Sequence, residues 1–173
     1  MSVAFRDARP VDAPILADLG RRTFIETFGH LYSREDLDTF LLNHAEERWR
    51  ATLADPEIQV RLAEEGGAAA GYATLAPRAL PVEPEGSALE LRQLYILSPW
   101  HGRGIAPVLM DWILAQARAR GAEELYLSVW TDNARAKSFY RRYGFTYVAP
   151  YAFMVGDQAD EDEIWRLKLG EAE

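Results

Sequence analysis

The sequence predicts an α/β (α+β) domain with a parallel strand pair in its second half, and three observations lead there. Apolar residues alternate in some segments and recur at three- and four-residue spacing in others, giving the order β, α, α, α, ββ, β, α, β, α, β, β. The strand–helix–strand unit late in the chain implies parallel neighbours, because a crossover helix returns the chain in the same direction. The 173 residues, 49% apolar and 27% charged, have the size and composition of one domain, spanning 1–173, with one core.

Val3 and Phe5, two apart, suit a short first strand. Asp12 reads as a helix N-cap with Pro14 in the first turn, and Ile15, Leu16, Leu19, Phe24 and Phe28 mark the helix that follows. A second helix starts at Ser33, with Asp36 three residues on as an imperfect capping box. Asn43 and Glu46 repeat that pattern for a third, which ends before Pro56. Ile58, Val60 and Leu62 alternate with Gln59, Arg61 and Ala63, Gly66 and Gly67 turn the chain, and residues 69–75 return it. Prolines and a glycine make 77–86 a loop. Residues 89–97 are a strongly apolar strand. Residues 102–120 are the best helix, with a stripe of Ile105, Val108, Leu109, Trp112 and Ile113 and with Gly121 closing it. Another strand covers 125–130 and a short helix 133–143, ended by Gly144. Two strands follow, near 145–153 and 164–167, and the acidic run 157–163 between them reads as a solvated loop.

Composition excludes several functions. There is no cysteine, so there is no disulfide framework, cysteine metal site or acyl-cysteine chemistry. His30, His44 and His101 are scattered without metal-ligand spacing, so no metal is expected. A formal charge of −8 disfavours nucleic acid and anionic membrane and favours cationic ligands such as amines. No apolar run is long enough to span a membrane, and the first ten residues lack the apolar core of a secretory signal, so the expected compartment is the cytoplasm.

The first chemical signal is a strand, a short loop with two glycines, and a helix. A helix N-terminus exposes unpaired N–H groups and partial positive charge, and Gly102 and Gly104 let phosphate oxygens approach them. Three phosphate readings compete. The P-loop pattern GxxxxGK[ST] is absent. A dinucleotide fingerprint, and with it an NAD(P) oxidoreductase, is disfavoured because Pro107 stands where a third small residue belongs and no glycine loop follows the first strand. The third is the Gln/Arg-x-x-Gly-x-Gly/Ala loop of the GNAT N-acetyltransferase superfamily, whose positions His101, Gly104 and Ala106 fill. Asn133, Ala136, Phe139, Tyr140, Gly144 and Phe145 then resemble the N-x-x-A-x-x-F-Y-x-x-x-G-F pattern of that superfamily in full. Within it, the chain resembles the bacterial spermidine/spermine N-acetyltransferases. The likeness lies in Thr23-Phe24-Ile25-Glu26-Thr27-Phe28, in Leu91-Arg92-Gln93-Leu94-Tyr95-Ile96, in Val129-Trp130 and in Phe153-Met154-Val155-Gly156-Asp157 with Asp162. His101 departs from the usual Gln or Arg.

The resemblance implies a mixed, mostly antiparallel sheet of six to seven strands with a splayed parallel pair and about four flanking helices. It implies acetyl-CoA as cosubstrate, with pantetheine pairing along Leu94, Tyr95 and Ile96 and pyrophosphate on Gly102, Arg103, Gly104, Ile105 and Ala106 beside Pro107. Asn133 and Tyr140 belong to the same site. Arg103 and Lys137 are candidate phosphate partners or else plain surface charges. An attacking amine must lose a proton, for which Glu26 and Glu90 are the candidate bases. Ile96 N–H would hold the oxyanion and Tyr140 would protonate the leaving thiolate. Acidic residues such as Glu26, Asp36, Glu90 and Asp162 suit a polyamine acceptor, with an aminoglycoside-like or a protein or peptide amine as alternatives. A non-catalytic CoA sensor is the reading from another class, and a homodimer is expected by analogy.

Overall fold

A computed structural model describes residues 2–170, so Met1 and residues 171–173 of the expected domain lie outside it. One seven-stranded sheet runs through the molecule in the order β1-β2-β3-β4-β5-β7-β6. Its strands are β1 (Ala4–Asp7), β2 (Gln59–Glu65), β3 (Ala68–Pro77), β4 (Ala88–Ile96), β5 (Glu124–Trp130), β6 (Thr146–Val155) and β7 (Gln158–Lys168). Every neighbouring pair is antiparallel except β4 and β5. The helices are α1 (Ala13–Phe28), α2 (Arg34–Leu41), α3 (Glu46–Ala54), α4 (Ile105–Ala119) and α5 (Ala134–Arg142).

Both faces of the sheet are covered. Leu109, Met110, Ile113 and Ala117 of α4 pack with Ala73, Leu75, Leu125, Leu127 and Trp165 on one side. Leu16 and Leu19 of α1 and Trp49 of α3 pack with Leu62 and Tyr72 on the other. Strand β3 therefore reads as an apolar run interrupted only by Thr74, since side chains of both phases are buried.

The long helix starts at Ile105, with its apolar stripe and three residues later than the expected 102, because Gly102 and Gly104 take φ of +76° and +78°. Those left-handed angles hold the two residues in a turn outside the helix. Asp12 precedes α1 but makes no capping bond; its carboxylate accepts from Arg6 at 2.9 Å and from the Arg9 amide at 2.8 Å. Ser33 caps α2 as expected, accepting from the Asp36 amide at 3.1 Å. Asn43 is not the cap of α3, which starts after Ala45; its side chain takes a hydrogen bond from Arg48 instead.

The largest correction concerns the acidic run. Gly156 and Asp157 form a tight turn, and the residues from Gln158 onward are β7, paired with β6 and β5 along its length. Asp162 stands opposite Trp130 on one side and Tyr151 on the other, and is buried.

The feature that positions the site is where β4 and β5 part. Their parallel pairing covers Ala88↔Glu124, Leu89↔Leu125 and Glu90↔Tyr126, and beyond it the strands diverge. A bulge on β4 at Arg92 marks the divergence: Thr74 pairs with Gln93 and Leu75 with Leu91.

Candidate functional site

A cavity of about 630 Å³ opens through this gap. Its walls are Leu91 to Ile96 of β4, Ser128 to Trp130 of β5, the glycine loop, one face of α5 from Arg135 to Arg142, and rings from α1 and α2. The ladder of β3 and β4 explains why backbone is free there. Leu97 N–H donates to Ala70 O at 2.8 Å, and groups alternate along an antiparallel strand. The N–H and C=O of Leu94 and Ile96 therefore turn away from β3; Ile96 O meets His101 Nε2, which leaves Leu94 N–H, Leu94 O and Ile96 N–H as an edge that an extended ligand can join.

Next to this edge lies an anion seat. The first turn of α4 leaves the N–H groups of Ile105 and Ala106 without intrahelical acceptors, and Pro107 has none to offer. A side chain at Gly102 or Gly104 would project into open space, the room a phosphate needs. Of the residues expected at the cofactor, Leu94, Tyr95, Ile96, His101, Gly102, Gly104, Ile105, Ala106, Pro107, Asn133 and Tyr140 all line the cavity. Asn133 also caps α5, its side-chain oxygen accepting from the Ala136 amide at 3.2 Å.

Two expected cations lie elsewhere. Arg103 donates to Glu65 at 3.0 Å, and Lys137 to Thr131 O at 2.9 Å and to Glu163 at 3.1 Å; neither lines the cavity. Arg135 and Arg142 do line it. Arg135 reaches His101 Nδ1 at 3.1 Å, while His101 Nε2 lies 2.7 Å from Ile96 O. Arginine only donates and a carbonyl only accepts, so His101 carries its proton on Nε2 and links the loop to the end of β4.

The carboxylates also sort differently from expectation. Glu26 accepts from the Ser98 amide at 2.9 Å and the Ser98 hydroxyl at 3.0 Å, fastening α1 to the turn before the glycine loop. Glu90 is buried and accepts from the amides of Ala79 and Leu80 at 2.9 and 3.0 Å. Asp36 accepts from the Asp157 amide at 3.0 Å. None of the three lines the cavity, so neither candidate base faces the gap, whereas Asp162 does.

On the α1 and α2 side the cavity is aromatic, with Phe24, Phe28, Phe40, Trp130 and Phe153 among its walls. Tyr32 donates to Asp160, two residues before Asp162 on β7. His44 is buried and also lines this part. Burial, with Arg21 nearby, pushes it down to about 4, so it is neutral at pH 7. Trp49 Nε1–H donates to its Nδ1 at 3.2 Å, which leaves the His44 proton on Nε2. Across the gap, burial pushes the half-buried Tyr140 up to about 12, so its phenol stays protonated. Among the described residues no group of three or more His, Asp or Glu could hold a metal ion.

Sequence reasoning missed Arg135, Arg142, Tyr32, Phe40, Asp160 and the cavity-lining role of His44. For Arg135 a signal existed: it falls in the first turn of α5, two residues after the recognised Asn133.

A splayed parallel pair, an unpaired strand edge and a glycine-lined helix start define an acyl-CoA-dependent transferase. The model of the acetyltransferase (GNAT) family matches residues 18–145. An uncharacterized N-acetyltransferase of Mycobacterium bovis is 31% identical over 159 residues, covering 91% of this chain and 98% of the relative. Among solved structures, PaiA N-acetyltransferase from Thermoplasma acidophilum in complex with coenzyme A has a TM-score of 0.78 at 20% identity, covering 97% of this chain and 99% of that one. YncA from Salmonella typhimurium with its cofactor acetyl-CoA has a TM-score of 0.70 at 20% identity, covering 100% and 97%. This chain belongs to the GNAT family and is an acetyl-CoA-dependent N-acetyltransferase.

Proposed function

We propose that the acceptor is a small cationic amine of the polyamine type, acetylated by direct attack in a ternary complex. The observation that carries this reading is the make-up of the cavity beyond the gap. Aromatic faces attract an alkylammonium, and Asp160 and Asp162 add negative charge to the same wall. Alternate strand residues share a face and lie about 7 Å apart, a spacing that a short diamine spans.

Acetyl-CoA supplies an activated acetyl thioester. The chain's own groups do the rest. Leu94 pairs its backbone with the pantetheine arm. The α4 N-terminus and Arg135 take the pyrophosphate charge. Ile96 N–H, facing the gap, donates to the carbonyl oxygen as negative charge gathers there. Tyr140 gives its phenolic proton to the departing sulfur. A phenol held near 12 is a weak acid, but it is a stable donor in a buried site.

His44 favours a second reading. Its Nε2–H is a neutral donor, better matched to a hydroxyl or carbonyl oxygen than to a second ammonium. An aminoglycoside-like amine or a peptide amine would offer such an oxygen.

The test is thiol release from acetyl-CoA with spermidine, spermine, an aminoglycoside and a short peptide in parallel. Turnover with the polyamines at least tenfold above the others is the expected outcome. Preference for the aminoglycoside or peptide rejects the polyamine and selects the second reading.

A further inference from the structure

Asp162 stands apart from every other carboxylate around the site. It is 9% exposed, it lines the cavity, and its carboxylate has no hydrogen-bond partner among the described residues. An unpaired carboxylate that deep costs stability unless something else fills its place. The groups around it do not supply a counter-charge. Tyr95 of β4, Tyr151 of β6 and Trp130 of β5 face it, Asp160 and Glu163 flank it on β7, and Glu90 of β4 lies beyond Tyr151. Tyr32 is engaged with Asp160, and Lys137 with Glu163. Arg92, at the bulge, leans toward Glu90 at 3.7 Å.

We propose that Asp162 is the catalytic base: it receives the acceptor's ammonium group and removes the proton that blocks attack. The proposal rests on the reading that a cationic amine occupies the aromatic end of the cavity.

The protons balance without any further reagent. The Asp162 carboxylate takes one proton from R–NH3+, leaving R–NH2 and a neutral carboxyl. The nitrogen lone pair forms the new C–N bond as the C–S bond breaks, and the sulfur leaves with the proton of Tyr140. The nitrogen then sheds a second proton, which restores Tyr140, and Asp162 returns its own to solvent. The net release is one proton per acetamide formed.

Geometry supports the division of labour. Tyr140 approaches from α5 and packs with the α4 cluster, whereas Asp162 opens on the α1 and α2 side with Trp130. Acid and base therefore flank the gap from opposite faces of the sheet. Burial, together with Asp160 and Glu163, pushes Asp162 up to about 7, which suits a base working near neutral pH.

The test compares wild type with Asp162→Asn and Asp162→Glu by thiol release on the best amine from pH 6 to 9.5, with acetyl-CoA affinity measured alongside as the check on folding. Independently, the carboxyl carbons of the wild-type protein are titrated by NMR. The proposal expects kcat/KM for the amine to fall about a hundredfold at pH 7 in Asp162→Asn, by the usual worth of general base catalysis. The loss should shrink as rising pH deprotonates the free amine, Asp162→Glu should recover part of it, and acetyl-CoA affinity should stay within twofold. It also expects one aspartate carboxyl to titrate near pH 7 and to vanish in Asp162→Asn. Turnover within twofold of wild type across the pH range, or no aspartate titrating above pH 6, overturns it. Loss of turnover on an amine other than a polyamine, with the titration near 7 intact, upholds Asp162 and rejects the polyamine reading alone.

Discussion

Replacing Gly104 by alanine separates the anion seat from the backbone that builds it. Gly104 has φ of +78°, and a Cβ there meets no atom within 4 Å. The stability cost is therefore conformational rather than steric, about 1–2 kcal/mol for an L-residue held left-handed. For a chain of this size each kcal/mol shifts Tm by about 2–4 °C, so the expected fall is roughly 2–8 °C. Gly121 provides the control, with φ of +77° and equally open surroundings, at the far end of α4. Gly121→Ala should lose a similar amount of Tm. Affinity should divide the two. The methyl group at Gly104 projects into the space left for phosphate, and losing one hydrogen bond to a charged group is worth about 1.5–3 kcal/mol, or about ten- to a hundredfold in Kd. Calorimetric titration with acetyl-CoA and thermal melting of both variants make the comparison. Equal, wild-type affinity in both would refute the placement of pyrophosphate at this loop.

Three other outcomes follow from the site. Tyr140→Phe should lower kcat by about a hundredfold or more while leaving acetyl-CoA affinity nearly intact, since the ring keeps its packing; an unchanged kcat removes it as the acid. Lys137→Ala should destabilise the fold by about 1–3 kcal/mol, because it removes the counter-charge of the half-buried Glu163, leaving it Trp165 Nε1–H, and frees Thr131 O, yet change acetyl-CoA Kd less than twofold; a large rise in Kd would return Lys137 to the phosphate. Asp162→Asn should stabilise the protein above neutrality. The folded state raises this carboxyl from 3.8 to about 7, so native stability falls as pH climbs through that window and the penalty is full above it. Melting at pH 8 should favour the asparagine variant by up to about 4 kcal/mol, and the two should converge near pH 4; equal Tm at both pH values contradicts a raised Asp162.

Elements whose signal is local were legible. The glycine loop, the Ser33 cap and most of the α4 stripe each depend on neighbours a few residues away and stand as read, although Val108 of the stripe is exposed and Met110 and Leu114 are buried in its place. The acidic run was misread because both phases of β7 carry acids: Asp160 and Asp162 on one face, Glu161 and Glu163 on the other. With every position from Asp160 to Glu163 acidic, the two-residue period disappears there, and low strand propensity then argues for a loop. Arg103 and Lys137 stayed open between phosphate and plain surface charge because their partners, Glu65 and Glu163, lie 38 and 26 residues away. Glu90 looked well placed because β4 is the central strand, but its bonds go to a loop that composition alone does not position.

The loop between β3 and β4 has a mechanical role. Glu90 and Glu124 are 6% and 3% exposed, and each grips two of its amides: Ala79 and Leu80 on the first, Glu85 and Gly86 on the second. Both carboxylates sit where β4 and β5 are joined, a junction three residue pairs long. The sheet is thus a book with two leaves, β1 to β4 and β5 to β7, and a very short spine. The loop is stitched across that spine by four amide bonds, so the pages can stand apart at their free edge without tearing at the binding. Amides 79, 80, 85 and 86 should consequently exchange with solvent as slowly as strand amides, although they belong to no strand.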